Sequence, residues 1–147
     1  MDGTFDADDL ARLRIALARI ARALDRQTRG DELTRTQASA LATIARRGPM
    51  RISEVAEIEG VNPTMLSRIV AKLEDAGLLR RTQDPDDGRA ARVEATAAGA
   101  AETLRLRTER TELLARQLGE MPQDEAHRLL LALPALESLA HHLTGTT

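Results

Sequence analysis

Between residues 62 and 76 the chain places hydroxyl, amide and basic side chains on one side of a predicted helix. Leu66, Ile69, Val70 and Leu73 share the opposite side at helical spacing and are expected to be buried. An arginine on the outward side can donate two parallel hydrogen bonds to guanine, and hydroxyl groups bind bases or phosphates. This helix alone is equally compatible with entry into a DNA major groove and with an ordinary solvated helix face, and the hairpin that follows it favours the groove. The candidate residues are Asn62, Pro63, Thr64, Ser67, Arg68 and Lys72.

A second cluster of basic residues surrounds the tight turn at residues 84–89, whose sequence is Asp-Pro-Asp-Asp-Gly-Arg. Arg89 at this tip is the candidate for insertion into a narrow minor groove, where the negative potential is enhanced. Asp87 is expected to orient the Arg89 side chain by pairing with it. The alternative is a solvated charged hairpin without a ligand. Candidate phosphate contacts nearby are Arg80, Arg81 and Arg92.

The elements that must position these residues follow from caps and turns. Asn62 can cap a helix whose first residue is Pro63, and Ala76-Gly77 ends that helix. Residues 78–81 are predicted to form a strand, and residues 91–96 return antiparallel to it after the turn. A shorter helix that begins at residue 52 precedes the helix at 63–76 and the hairpin. The order predicts a helix-turn-helix followed by a hairpin, which we call the wing.

Further helices are predicted at both ends of the chain. Leucine and isoleucine recur at helical spacing between residues 10 and 24, and a helix capped by Thr34 or Thr36 ends at Gly48-Pro49. A long helix covers 97–118, and residues 119–122 separate it from a last helix that begins at Pro122 and bends at Pro134. The surplus apolar stripes favour burial against a second copy of the chain, although packing within a monomer is the alternative.

The length, composition and net charge of the chain limit which folds and functions are possible. The 147 residues are 42% apolar, which suits one globular domain with a core. The chain has no cysteine, no apolar run of about 18 residues and no secretory signal, so we expect a cytoplasmic protein without thiolate metal sites or a membrane partner. The net charge of −2 opposes non-specific DNA binding, but the basic residues concentrate in the second helix and the wing.

Three segments together resemble the MarR family of transcriptional regulators: LEDAGLLRR at 73–81, DPDDGR at 84–89 and TAAG at 96–99. The resemblance implies a mainly α fold with a small β wing, in which residues 1–147 form a single MarR-like domain. Within it, residues 33–99 would form the winged helix-turn-helix lobe, and 8–29 and 97–143 the dimerisation helices. It further implies a homodimer that binds double-stranded DNA at a pseudo-palindromic operator, usually as a repressor. Under this reading the helix at 62–76 enters the major groove and Arg89 the flanking minor groove.

Two local departures and one compositional departure from the family pattern stand out. Arg51 occupies a position where a Ser or Thr helix cap is common, and Ala95 replaces a common leucine. Phe5 is the only aromatic residue, whereas relatives that bind phenolic effectors often use aromatic rings. A small lipophilic or aromatic effector thus stays open as a partner, and no residue that binds it can be named.

Other functions receive little support from the sequence. His127, His141 and His142 lack the spacing of a metal site, and no motif for a cofactor, phosphate loop or nucleophile is present, so we expect no enzyme and no cofactor. The alternative of another class is a winged-helix dimer that binds protein, with Glu54, Glu57 and Glu59 resisting DNA. An activator or architectural DNA-binding protein is the alternative within the same class.

Overall fold

The computed structural model describes residues 5–28 and 32–145. The predicted N-terminal helix at 8–29 therefore ends in a residue outside the described part. The sequence also predicts that Gly30-Asp31 interrupts the helical pattern, and these two residues lie outside the described part as well. The contacts divide the chain into two compact units, one up to Arg110 and one from Thr111 onward. The elements in chain order are α1 (Ala7–Thr28), α2 (Arg35–Arg47), β1 (Met50–Arg51), α3 (Ile52–Glu59), α4 (Pro63–Asp75), β2 (Leu79–Gln83), β3 (Ala91–Ala95), α5 (Ala97–Glu120), α6 (Gln123–Leu131) and α7 (Leu133–Thr144).

The predicted helix-turn-helix and wing are both present, as α3, α4 and the β2–β3 hairpin. The hairpin belongs to a three-stranded antiparallel sheet with the order β1-β3-β2. Val93 in the central strand pairs with Met50 on one side and with Arg81 on the other. The two-residue strand β1 was not predicted, because so short a segment shows no alternation of apolar and polar residues.

One core joins α2, α3, α4 and the sheet in the first unit. Leu66, Ile69, Val70 and Leu73 are buried in it, which confirms the predicted inner face of α4. Leu41 and Ile44 of α2, Val55 of α3 and Leu79 and Val93 of the sheet complete its fully buried centre. Because one face of the hairpin, with Leu79 and Val93, and the inner face of α4 share this core, the positions of α4 and of the wing are linked.

Caps fix the ends of the helices that carry the candidate residues. The Asn62 side chain accepts a hydrogen bond from the Met65 amide at 2.8 Å, and Pro63 follows as the first helical residue, as predicted. Gly77 closes α4 with a φ of +75°, a conformation that favours glycine. Of the two predicted alternatives for α2, Thr34 is the cap, because its hydroxyl accepts from the Gln37 amide.

The start of α5 is held tightly against the end of α4. The Thr96 hydroxyl donates to the Gly77 carbonyl at 2.6 Å and accepts from the Gly99 amide at 3.1 Å. A Cβ atom at Gly99 would lie 2.0 Å from the Leu78 carbonyl oxygen, so only glycine permits this approach. The TAAG segment thus joins the wing to α5 through specific contacts.

The second unit consists of the end of α5 with α6 and α7. Pro134 splits the predicted last helix into α6 and α7, as expected for a proline inside a helical pattern. The predicted start at Pro122 was wrong by one residue, because Pro122 has extended backbone and caps α6. Gly119 and Glu120, predicted as separators, belong to α5. Neither α6 nor α7 contains a buried residue.

The apolar stripe of α1 is also exposed within the single chain. Leu10 is 51% exposed and Ile20 is 48% exposed, although the spacing of these residues is typical of a buried face. In residues 5–28 and 32–145, no helix is long and apolar enough to cross a membrane.

Candidate nucleic-acid interface

The outward face of α4 carries the residues predicted from the sequence. Thr64, Ser67, Arg68 and Lys72 are exposed, on the side of α4 opposite its buried leucines. Within the described part of the chain, the side chains of Arg68 and Lys72 take part in no hydrogen bond or ion pair. Unpaired cations on an exposed helix face keep their full charge for an anionic ligand.

Two of the predicted residues on α4 have structural roles at its start. The side-chain oxygen of Asn62 accepts the hydrogen bond that caps the helix, and Pro63 has no backbone N–H to donate. Both residues are exposed, and together they mark the start of the N-terminal turn of α4. Met65 was missed by the sequence reasoning and is 46% exposed in the same turn, because a methionine at helical spacing normally indicates a core position.

The tip of the wing is built by Asp87, but not in the predicted way. Asp87 accepts a hydrogen bond from the Arg89 backbone amide at 3.0 Å, and its carbonyl accepts one from Ala90 at 3.0 Å. In the part of the chain that the structure describes, the Arg89 guanidinium has no ion pair, so the predicted side-chain pairing of Asp87 with Arg89 was wrong. The short Asp side chain instead closes onto nearby backbone, as it commonly does in turns. The guanidinium is left exposed at the tip.

The other wing arginines are engaged by carboxylates. Arg80 on β2 is bound to Glu94 on the opposite strand, and Arg81 lies 3.5 Å from Glu74 at the end of α4. Arg92 lies 3.4 Å from Asp84 and is only 29% exposed. These pairs reduce the charge that the three residues offer to a phosphate, so Arg89 is the main free cation of the wing among the residues described.

Asp84 and Arg51 form an ion pair at the base of the wing that the sequence did not predict. The Asp84 side chain is fully buried, and its carboxylate accepts hydrogen bonds from the Arg51 guanidinium at 2.6 Å and from the Asp86 amide at 2.9 Å. Asp84 was interpreted only as a turn residue, and Arg51 only as a departure from a helix cap. The partners are 33 positions apart in sequence, and no local pattern indicates such a pair.

The pKa of Asp84 predicts a specific acid sensitivity of the wing. The hydrogen bond from the Asp86 amide and then that from Arg51 lower this pKa from 3.8 to about 2. A carboxyl group with a lowered pKa stabilises the fold above its unfolded pKa, and this contribution is lost as the pH falls through the folded value. We expect urea unfolding midpoints to fall between pH 4 and pH 2, and Asp84→Asn to be less stable at pH 7 and to lack this part of the pH dependence. An Asp84→Asn protein with the pH profile of the unaltered protein would contradict the assignment.

The acidic residues of α3 are largely occupied by internal contacts. Glu54 accepts a hydrogen bond from the Arg51 amide at 2.8 Å at the start of α3. Glu59 accepts from the buried Thr43 hydroxyl at 2.6 Å. Their proximity to the helix-turn-helix therefore has a structural reason and does not itself indicate a surface that repels DNA.

Comparison with known proteins identifies the family of this chain. The model of the MarR family matches residues 33–91, which contain α2 to β3. An uncharacterised HTH-type transcriptional regulator of Mycobacterium bovis is 33% identical over 134 residues, which cover 87% of this chain and 94% of that protein.

Solved structures show the same fold. The RV1404 protein of Mycobacterium tuberculosis matches with a TM-score of 0.76 at 23% identity, over 94% of this chain and 97% of that one. A mutant of the S. aureus protein MepR, bound to an oligodeoxyribonucleotide, matches with a TM-score of 0.67 at 16% identity, over 92% and 99% of the two chains. This chain accordingly belongs to the MarR family and is a DNA-binding transcriptional regulator, not an enzyme.

Proposed function

We propose that this protein is a homodimeric repressor that binds a pseudo-palindromic operator, with α4 in the major groove and the wing in the adjacent minor groove. The observation that carries the proposal is the distribution of unpaired cations. Arg68 and Lys72 on α4 and Arg89 at the wing tip are exposed without partners in the described residues, whereas Arg80, Arg81 and Arg92 are paired.

The proposed contacts divide into base-reading and phosphate-binding residues. Arg68, Ser67 and Thr64 lie toward the N-terminal half of α4, from which recognition helices usually contact base edges. Met65 in the same turn offers an apolar group for a thymine methyl. Lys72 is proposed to contact phosphate and to fix the register of the protein on the duplex. Arg80, Arg81 and Arg92 contribute less, because their carboxylate partners compete with phosphate.

The exposed apolar helices support the homodimer. The second unit has a single buried residue in its described part, Leu113, while leucines along α6 and α7 are exposed, among them Leu130 at 50% and Leu133 at 45%. A helical unit without a core of its own must bury its apolar face elsewhere. A second copy of the chain supplies the same apolar surfaces in a closed twofold arrangement. The helices involved are α1, α6 and α7, in agreement with the dimerisation regions expected at 8–29 and 97–143.

A groove between α2 and α5 supports release by a small effector. It has a volume of about 660 Å³, and its walls are mainly alanine and leucine side chains with Arg46, Arg107 and Arg110 among them. This lining suits a small molecule with an aliphatic or aromatic body. No aromatic side chain lines it, so stacking on a ring does not contribute to the proposed binding.

The proposed function is tested by fluorescence anisotropy on DNA from upstream of the protein's own gene, with a scrambled duplex as the control. We expect specific binding to be tighter by about 10³-fold or more, with log affinity falling linearly with log salt concentration. Promoter-directed transcription in vitro should decrease when the dimer is added. An increase would make the protein an activator, and equal binding to both duplexes at every salt concentration would favour the protein-interaction alternative.

A further inference from the structure

We propose that Arg51 is a positioning residue that holds the wing at a fixed angle to the helix-turn-helix and so determines where Arg89 meets the DNA. This inference rests on the proposed function, in which Arg89 enters the minor groove. Arg51 itself needs no contact with DNA for this role. It acts through a side-chain contact that crosses the sheet to Asp84.

The register of the sheet shows that this contact spans all three strands. Arg51 on the edge strand β1 is paired with Arg92 on the central strand β3, and Arg92 is paired with Thr82 on β2. Asp84 lies two residues beyond Thr82, where the tip of the wing begins. The Arg51 guanidinium therefore reaches across β3 to bind a carboxylate at the far strand, with Nε and Oδ2 2.6 Å apart.

The same carboxylate organises the wing tip. Asp84 accepts a hydrogen bond from the Asp86 amide through its second oxygen, and its own amide donates to the Ala90 carbonyl at 3.1 Å. Ala90 in turn donates to the Asp87 carbonyl. These hydrogen bonds join residues on both sides of Arg89 in the sequence. A shift of Asp84 is therefore expected to move the Arg89 backbone.

The backbone of Arg51, in contrast to its side chain, lies at the start of the helix-turn-helix. Its amide donates to Glu54 in the first turn of α3, so its backbone is fixed at the start of that helix. One residue thus contacts both α3 and the wing base.

Arg92 is a weaker second partner of Asp84. It lies 3.4 Å away, and its Nε is buried without a hydrogen bond in the described structure. Loss of Arg51 therefore leaves a positive charge beside the buried carboxylate, and we expect Arg51→Ala to fold while its wing becomes looser. The Arg51→Lys variant retains a charge that can reach Asp84, although without the planar guanidinium geometry.

A double-mutant cycle on operator DNA tests the proposal with Arg51→Ala, Arg89→Ala and the double variant. We expect Arg51→Ala alone to weaken specific binding by about tenfold, and the same change to have almost no effect when Arg89 is already alanine, since coupled residues are non-additive. Arg51→Lys should recover part of the affinity. Amide exchange at residues 84–90 should become faster in Arg51→Ala, while exchange in α4 stays unchanged. Arg105→Ala removes another ion-paired arginine, on α5, and serves as the matched control.

Additive losses in the cycle would overturn the positioning role, because they would indicate a direct phosphate contact or a general loss of stability. Unchanged exchange at 84–90 would overturn it equally. If the unaltered protein shows no preference for operator DNA, the proposed function fails and the role of Arg51 on DNA fails with it. An unaltered protein that binds specifically but shows additive losses contradicts the Arg51 proposal alone.

Discussion

Arg89→Ala is expected to abolish most of the preference for operator DNA. The Arg89 guanidinium is exposed at the tip of the wing and has no partner in the described residues, so its whole hydrogen-bonding capacity is available to a narrow minor groove. Each base-reading arginine contributes about 1–3 kcal/mol, and a homodimer contributes two, so the affinity should fall roughly 30-fold or more. Fluorescence anisotropy at constant salt measures the loss.

The matched control is Arg80→Ala on the same hairpin. Arg80 is already bound to Glu94, so its removal costs the DNA complex little beyond a weak phosphate contact. Arg89→Lys retains the charge and should recover non-specific affinity more than specificity, because lysine is a point charge. Equal effects of Arg80→Ala and Arg89→Ala would contradict the assignment of the wing tip as the inserted residue.

Leu133→Glu is expected to convert the proposed homodimer to monomers. Leu133 is the first residue of α7 and is 45% exposed in the single chain, within the apolar face proposed to meet the second copy. Burial of an unpaired carboxylate costs several kcal/mol, so the dimer dissociation constant should rise by at least about 100-fold. A glutamate in the first turn suits the helix dipole, so α7 itself should form normally. Sedimentation equilibrium over a concentration series measures the change.

The control for the dimer variant is Ser138→Glu. Ser138 is exposed on α7, on the side of the helix away from Leu133 and Leu136, so this substitution adds the same charge to the same helix off the leucine face. It should leave the dimer intact. A Leu133→Glu protein that sediments as a dimer would show that α7 lies outside the interface, and a monomeric unaltered protein would overturn the homodimer itself.

Local patterns in the sequence were enough to predict the order of the elements and the inner face of α4. Asn62-Pro63, Gly77 and the turn at 84–89 act on backbone within a few residues, so their effects can be interpreted without the rest of the chain. The burial of Leu66, Ile69, Val70 and Leu73 follows from helical spacing alone. The split at Pro134 has the same local origin. The resemblance to the MarR family rested on the segments 73–81, 84–89 and 96–99, and membership of the family was confirmed by the comparisons.

The tertiary structure decided which charged side chains are free. The sequence distinguished Arg89 from Arg80, Arg81 and Arg92 only by its place in the turn. In the described structure Arg89 is the unpaired one, since the fold places the carboxylates of Glu94, Glu74 and Asp84 beside the other three. Arg51 and Asp84 meet only because β1 joins the sheet, and a two-residue strand leaves no periodic signal. The sequence by itself determined the helices, turns and buried faces, because each depends on neighbouring residues. The assignment of charges to ion pairs or to ligand binding depends on distances between residues far apart in the chain, and these exist only in the folded protein.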